Sequence, residues 1–326
     1  VPRILDAIDS FFTARAPRKD SPHTTAAYRR DLLAVTTLLA GLSQSDPEAL
    51  PCSALTLSAL RRAFAGFAAG RAKSSIARCW STWNTFCGFL VSEGLLEGNP
   101  MAGVARPQPP IRQPKPLRGE DAPDDLLIAL VQRARKARDP WPERDLAVVA
   151  TLLLTGVRSA ELLALTVGDV AGPAGERRLL VRGGKGDADR TVPVEPALER
   201  LLEGYLGSRA RRFVAERRPL PVGAVLFVDG RGSRLTRNQL QYLVRQCYRH
   251  SGVADRVERG ALVHALRHTF ATRLGQAGAS AMEIMELLGH RSLAASQGYL
   301  KTTARELRDA ARSNPSYRVL ERLADS

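Results

Sequence analysis

Between Arg106 and Arg118 the chain places Pro107, Pro109, Pro110, Pro114 and Pro116 among cations. Proline fixes φ and lacks a backbone donor, so no regular helix crosses this stretch, which favours extended polyproline geometry. The chain is therefore expected to fold as two bodies: residues 1–105, then a linker at 106–118, then a second domain at 119–303 with a tail at 304–326. A length of 326 residues accommodates two domains, each with a core of its own.

On the N-terminal side, apolar residues recur at helical spacing, as in Tyr28, Leu32, Val35 and Leu39, and again in Ile76, Trp80, Trp83, Cys87 and Leu90. This body is expected to be a small all-helical domain. The later helix carries an opposite stripe of Ser74, Arg78, Ser81 and Thr85, with Arg71 and Lys73 at its start. Short polar and cationic groups on one face suit the groove of a duplex, and they equally suit plain solvation. Net charge tilts the choice toward the groove. Lys plus Arg number 48 against 33 Asp plus Glu, a formal charge of +15, which is the electrostatic footprint of a chain whose partner is a polyanion. Arg71, Lys73, Ser74, Arg78 and Ser81 are thus the candidate DNA contacts.

The second domain reads as mostly helical with a small sheet. Helices are expected over Asp124 to Arg138, Glu143 to Thr155 with Gly156 as its C-terminal cap, Ser159 to Leu165, Thr236 to His250 and Leu262 to Leu274. Another is expected over Ser280 to Leu288, where Ser280 and Glu283 form a capping box. Strand-like runs at Leu179 to Arg182 and Arg190 to Val194 flank Gly183-Gly184-Lys185-Gly186-Asp187, which is hairpin chemistry, and Val225 to Val228 reads as a further short strand. A last helix is expected in the tail from about Ala304.

Several chemistries are excluded or disfavoured. Cys52, Cys79, Cys87 and Cys247 show neither CxxC spacing nor histidines at zinc-finger intervals, so no zinc site or disulfide framework is indicated and a reducing cytoplasm fits. No apolar run approaches the length of a membrane span, and no signal-peptide core stands at the N-terminus. The glycines around Lys185 lack the spacing of a phosphate-cradling loop. Asp187 and Asp189 form a DxD pair, but aspartate is common in hairpin turns for backbone reasons, and no metal is assigned.

What remains is a scattered set: Arg158, Lys185, His264, Arg267, His290 and Tyr299. Taken singly, each has an ordinary explanation. Arg158 could form a structural ion pair with Glu161; His264 and Arg267, three apart on one helix face, could be a core imidazole beside a surface cation; Tyr299 could be a packing residue. Taken together, two arginines, a lysine and two imidazoles could surround one phosphate, neutralise its developing charge without metal, and leave a phenol as nucleophile.

The boxes Thr155-Gly156-Val157-Arg158-Ser159-Ala160-Glu161-Leu162, His264-Ala265-Leu266-Arg267-His268, Leu287-Leu288-Gly289-His290 and Tyr299 resemble, in order and spacing, those of the tyrosine recombinases. Lys185 stands where that family places its hairpin lysine, and the helical first domain with Asn99-Pro100 before the linker is similar to the family's core-binding domain.

The resemblance implies a mainly α fold, an all-helical core-binding domain plus a mostly helical catalytic domain with a small antiparallel sheet. It implies site-specific recombination through a 3′-phosphotyrosyl intermediate, with no cofactor. Tyr299 is then the nucleophile, His264 its proton acceptor or hydrogen-bond partner, Arg158 and Arg267 the phosphate clamps, His290 a further donor, Lys185 the acid for the leaving 5′-oxygen, and Glu161 a supporting acid. The implied partners are double-stranded recombination sites bound by a homo-tetramer that passes through a Holliday junction. The short segment before Tyr28 fits the compact form of the family without an arm-binding domain. The tail, with Leu307, Val319, Leu320 and Leu323, either docks on a neighbouring protomer or folds back on its own domain. A non-catalytic DNA-binding regulator of the same fold and a type IB topoisomerase are the competing readings.

Overall fold

The computed structural model describes residues 2–108, 114–132, 135–183, 189–214 and 219–289. The chain divides into two compact units, Val1–Arg112 and Gln113–Ser326.

The first unit is helical, with α1 at Ile4–Arg15, α2 at Pro22–Ser43, α3 at Leu57–Ala68 and α4 at Lys73–Ser92. Each start is set locally. Ser21 accepts the Thr24 N–H ahead of α2, where Pro22 occupies the first turn and gives up no bonded donor. Thr56 caps α3 through the Ala59 N–H. The apolar stripes then close on one another: Leu32, Val35 and Leu39 of α2, Leu60, Phe64 and Phe67 of α3, and Trp83, Phe86, Cys87 and Leu90 of α4 are all buried. Phe11 meets Phe86 edge to face at 5.5 Å. At the end of the unit Asn99 accepts the Met101 N–H and donates its amide to Asn84, while the Trp80 indole donates to the Val104 carbonyl.

The second unit is built around α6, Pro142–Thr155, which packs against α5 (Ala122–Gln132), α8 (Pro196–Arg212) and α10 (Leu262–Gln276). Helices α7 (Ser159–Ala164), α9 (Arg237–His250) and α11 (Ala281–Leu288) are its other described α-helices. A three-stranded antiparallel sheet, in order β1 (Val170–Ala171), β2 (Arg178–Val181), β3 (Arg190–Pro193), lies beside it. The core joins Val148, Val149 and Leu152 of α6 to Leu179 and Val192 of the sheet and Leu266 of α10. Among the described residues, no helix is long and apolar enough to cross a membrane. The protein is mainly α with a small antiparallel sheet, as expected.

Four local details differ from the sequence expectation. Helix α5 is described as far as Gln132, and from residue 135 the chain is not helical, short of the expected Arg138; Arg135 there pairs with Asp145, whose buried carboxylate also accepts from Arg144. Residues 225–228 join no strand of the sheet but are extended at both ends, where Val225 and Val228 make isolated antiparallel bridges to Thr166 and Arg234; Tyr205 and Arg209 of α8 bond the Val225 and Leu226 carbonyls and the Val228 N–H. Strand β1 is an extra edge pairing Val170 with Leu179. Helix α8 was absent from the expectation, although Leu198, Leu202 and Tyr205 follow helical spacing on its buried side.

Candidate active site

The site grows from the end of α6. Gly156 sits there in the left-handed region at φ 63, and a Cβ at that position would lie 2.3 Å from Phe270 Cδ1 and 2.8 Å from Leu288 Cδ2. Only glycine meets both demands. The chain turns through buried Val157 and re-enters a helix at once, so Arg158 stands at the N-cap of α7. Glu161, one turn on, accepts the Arg158 backbone N–H at 2.7 Å and its Nη1 at 2.8 Å.

The ion pair with Glu161 that is the ordinary explanation of Arg158 is therefore present, and Glu161 has a second cation. Arg190, the first residue of β3, donates Nη1 and Nη2 to the two oxygens of Glu161 at 3.0 and 2.8 Å. Burial pushes the Glu161 carboxyl up, but the hydrogen bonds from Arg190 and the Arg158 backbone hold it down at about 2. Glu161 is an ionised carboxylate at neutral pH.

Arg267 approaches from α10. Its guanidinium is buried, with Nη1 donating to the Gly156 carbonyl at 2.5 Å and Nη2 to the Leu288 carbonyl at 2.7 Å. Arg158 Nη2 reaches the next carbonyl, Gly289, at 3.4 Å. Both arginines thus meet the backbone where α6 and α11 end, immediately before residue 290. Gly289 caps α11 at φ 63, which turns these carbonyls out of the helix. His264, one turn before Arg267 on α10, is exposed, with its ring edge to face with His268 at 4.8 Å. Partial desolvation, then the charges of Arg267 and Arg158, lower its pKa below the usual imidazole value, which keeps it neutral and able to accept a proton.

Lys185, His290 and Tyr299 lie outside the described residues, as do Asp187 and the tail. The base of the Lys185 hairpin is described: Val181 pairs with Arg190, and Asp189 accepts the Gly183 N–H at 2.8 Å. That bond gives Asp189 the turn-closing role that competed with metal binding. Among the described residues, no cluster of His, Cys, Asp or Glu is arranged to hold a metal ion.

In the first unit, Arg71, Lys73, Ser74 and Arg78 are exposed and Ser81 is half-buried. Arg71 lies over the Phe67 ring at 4.3 Å. Arg78 is already engaged, donating Nε and Nη2 to the two oxygens of Asp31 at 2.8 and 2.9 Å. Asp31 is 3% exposed and Arg78 42%, so the aspartate anchors the arginine at the surface.

Sequence reasoning missed Arg190 and Asp31, and both carried the same signal. Arg190 is in phase with Val192 and Val194 along the strand, and Asp31 adjoins Leu32 and Val35 on the buried face of α2. A charge in register with core residues requires a partner.

The phage integrase family matches residues 124–306. Tyrosine recombinase XerC of Mycobacterium sp. (strain JLS) is 35% identical over 307 residues, covering 94% of this chain and 96% of that protein. Its counterpart from Mycobacterium tuberculosis (strain CDC 1551 / Oshkosh) is 34% identical over the same shares. Among solved structures, XerH site-specific recombinase bound to a palindromic difH substrate in a post-cleavage complex gives a TM-score of 0.70 at 20% identity, covering 91% of this chain and 81% of that one. The Tn1549 transposon integrase in complex with transposon right end DNA gives 0.68 at 17% identity, with 96% and 99% covered. At these identities the two structures speak to the fold.

Proposed function

Since the chain belongs to the phage integrase family and is a tyrosine-type site-specific recombinase, we propose that Tyr299 cleaves double-stranded recombination sites with Arg158 and Arg267 as its phosphate clamps. The carrying observation is the meeting of these two guanidinium groups at the Leu288 and Gly289 carbonyls, one residue before His290. Two always-charged planar donors suit the non-bridging oxygens of a phosphodiester, whose negative charge grows in the transition state.

The Tyr299 phenol passes its proton toward His264 as its oxygen attacks phosphorus. His290 adds a hydrogen bond to the phosphate. The bond from phosphorus to the 5′-oxygen breaks, and Lys185 supplies the proton for that oxygen. A 3′-phosphotyrosyl bond and a free 5′-hydroxyl result, and attack by another 5′-hydroxyl restores the tyrosine. One diester replaces another, so no nucleotide cofactor is consumed.

Arg71, Lys73, Ser74, Arg78 and Ser81 contact the duplex from the first unit. Four protomers hold two duplexes through a Holliday junction, in the cytoplasm, on bacterial or phage DNA. The tail at 304–326 docks on a neighbouring protomer, so its deletion spares half-site binding and stops strand exchange on full sites. The same chemistry serves integration, excision and dimer resolution.

A nicked suicide substrate tests the reading. Wild type is expected to be trapped on the 3′ side of the break, in excess EDTA as well, and Tyr299→Phe to bind without forming the adduct. A persistent adduct with Tyr299→Phe, or none with wild type on its own site, overturns the assignment.

A further inference from the structure

Three charges meet at Glu161. A carboxylate facing one guanidinium makes a neutral pair; Glu161 faces two. Arg158 takes one oxygen of Glu161 through Nη1, and Arg190 takes both. Arg158 remains partly exposed, while Arg190 and Glu161 are each 7% exposed at the side chain. The buried pair is thus Arg190 with Glu161, and the accessible cation is Arg158.

Arg190 has two further ties. Its Nε donates to the Leu287 carbonyl at 2.9 Å, on the last turn of α11. A Cβ on Gly289 would stand 3.0 Å from both Cδ and Nη1 of Arg190, so the glycine that ends α11 also leaves room for this side chain. Arg190 begins β3 opposite Val181, at the base of the hairpin that carries Lys185. One side chain therefore joins the hairpin, the carboxylate and the end of α11.

We propose that Arg190 is a positioning residue for strand cleavage: it satisfies the Glu161 carboxylate from the buried side, so that Glu161 orients Arg158 without cancelling the charge Arg158 brings to the scissile phosphate. This rests on the assignment of Arg158 to that phosphate. Arg190 touches no reacting atom and acts through Glu161.

The test is single-turnover cleavage of the suicide substrate at saturating DNA by wild type, Arg190→Gln, Arg190→Lys and the double variant Arg190→Gln with Glu161→Gln, alongside half-site affinity. Arg190→Gln is expected to cleave about 10- to 100-fold more slowly, the range for groups that orient a directly acting residue, with half-site affinity unchanged. The double variant removes the carboxylate charge that then falls on Arg158 alone and is expected to cleave faster than Arg190→Gln alone, a recovery that a merely structural role would not produce. Wild-type cleavage by Arg190→Gln, a loss confined to affinity, or a double variant no faster than the single one overturns the proposal. If Arg190→Gln does not fold, Arg190→Lys decides: lysine keeps the charge but cannot span both oxygens and the Leu287 carbonyl, so slower cleavage with intact binding supports the proposal and wild-type cleavage overturns it. Absence of any adduct with wild type would instead count against the functional reading itself.

Discussion

Arg267 donates to the carbonyl of Gly156, 111 residues earlier in the chain, and so ties the end of α6 to the middle of α10. The bond forms only because Gly156 takes the left-handed turn that aims its carbonyl away from the helix. Gly156→Ala is expected to lower stability by about 2–4 kcal/mol, from strain at positive φ plus overpacking against Phe270 and Leu288. Urea unfolding checks the stability, and cleavage per folded molecule should fall as well because the Arg267 acceptor moves.

Removing either clamp acts on chemistry more than on binding. Arg158→Ala and Arg267→Ala should each slow cleavage by about 10² to 10³ at saturating DNA, the size of one lost transition-state contact. Arg267→Ala also strands two buried carbonyls, so it should lower the unfolding midpoint where Arg158→Ala does so less. A loss confined to affinity would make these residues ground-state phosphate anchors.

Much of this centre was legible in the sequence because its parts stand in short boxes where order and spacing carry information. Thr155 to Leu162 encodes a helix end, a turn and a new helix start, which places Arg158 and Glu161 before any tertiary contact is known. The register of Arg190 with Val192 and Val194 signals a buried partner, but the partner is a tertiary fact: only the fold brings Glu161 to it across 29 positions. Residues 225–228 misled for a related reason. Their β-branched and aromatic residues fit a strand, but only isolated bridges form at Val225 and Val228, because Tyr205 and Arg209 bond the Val225 and Leu226 carbonyls and the Val228 N–H. Helix α8 was obscured by its charged residues, which outnumber the apolar ones that face the core.

On the first unit, two candidate DNA contacts should behave differently. Lys73→Ala is expected to weaken binding to all sequences and to make the salt dependence shallower by about one phosphate, roughly 0.9 in the slope of log K against log salt. Arg78→Ala should weaken binding and also destabilise the fold by about 1–2 kcal/mol, because it leaves the buried Asp31 carboxylate without its guanidinium. That figure is below the cost of breaking a fully buried pair because the arginine is partly solvated. Salt titration of DNA binding and thermal unfolding of each variant separate the two behaviours.

Acid should find Glu161. Its folded pKa of about 2 is below the ordinary value, so the unfolded chain binds a proton that the folded chain refuses between those two values. The contribution is fully present above about pH 4.3, the ordinary value, and is lost as pH falls toward the folded one. Glu161→Gln should therefore unfold with a shallower acid dependence in this window, by up to about 1.4 kcal/mol per pH unit. Urea midpoints measured at intervals through the window give the slope directly.

All four cysteines are buried, and burial pushes the Cys79 and Cys87 thiols up to about 12 and raises those of Cys52 and Cys247 as well. A maleimide reacts with thiolate, so the native chain is in effect a cysteine-free background. One cysteine introduced at an exposed position such as Ser58 should accept a fluorophore stoichiometrically while the natural four stay dark. Single-molecule recording of this protein arriving on and leaving DNA then needs no prior removal of cysteines that its own core packs around.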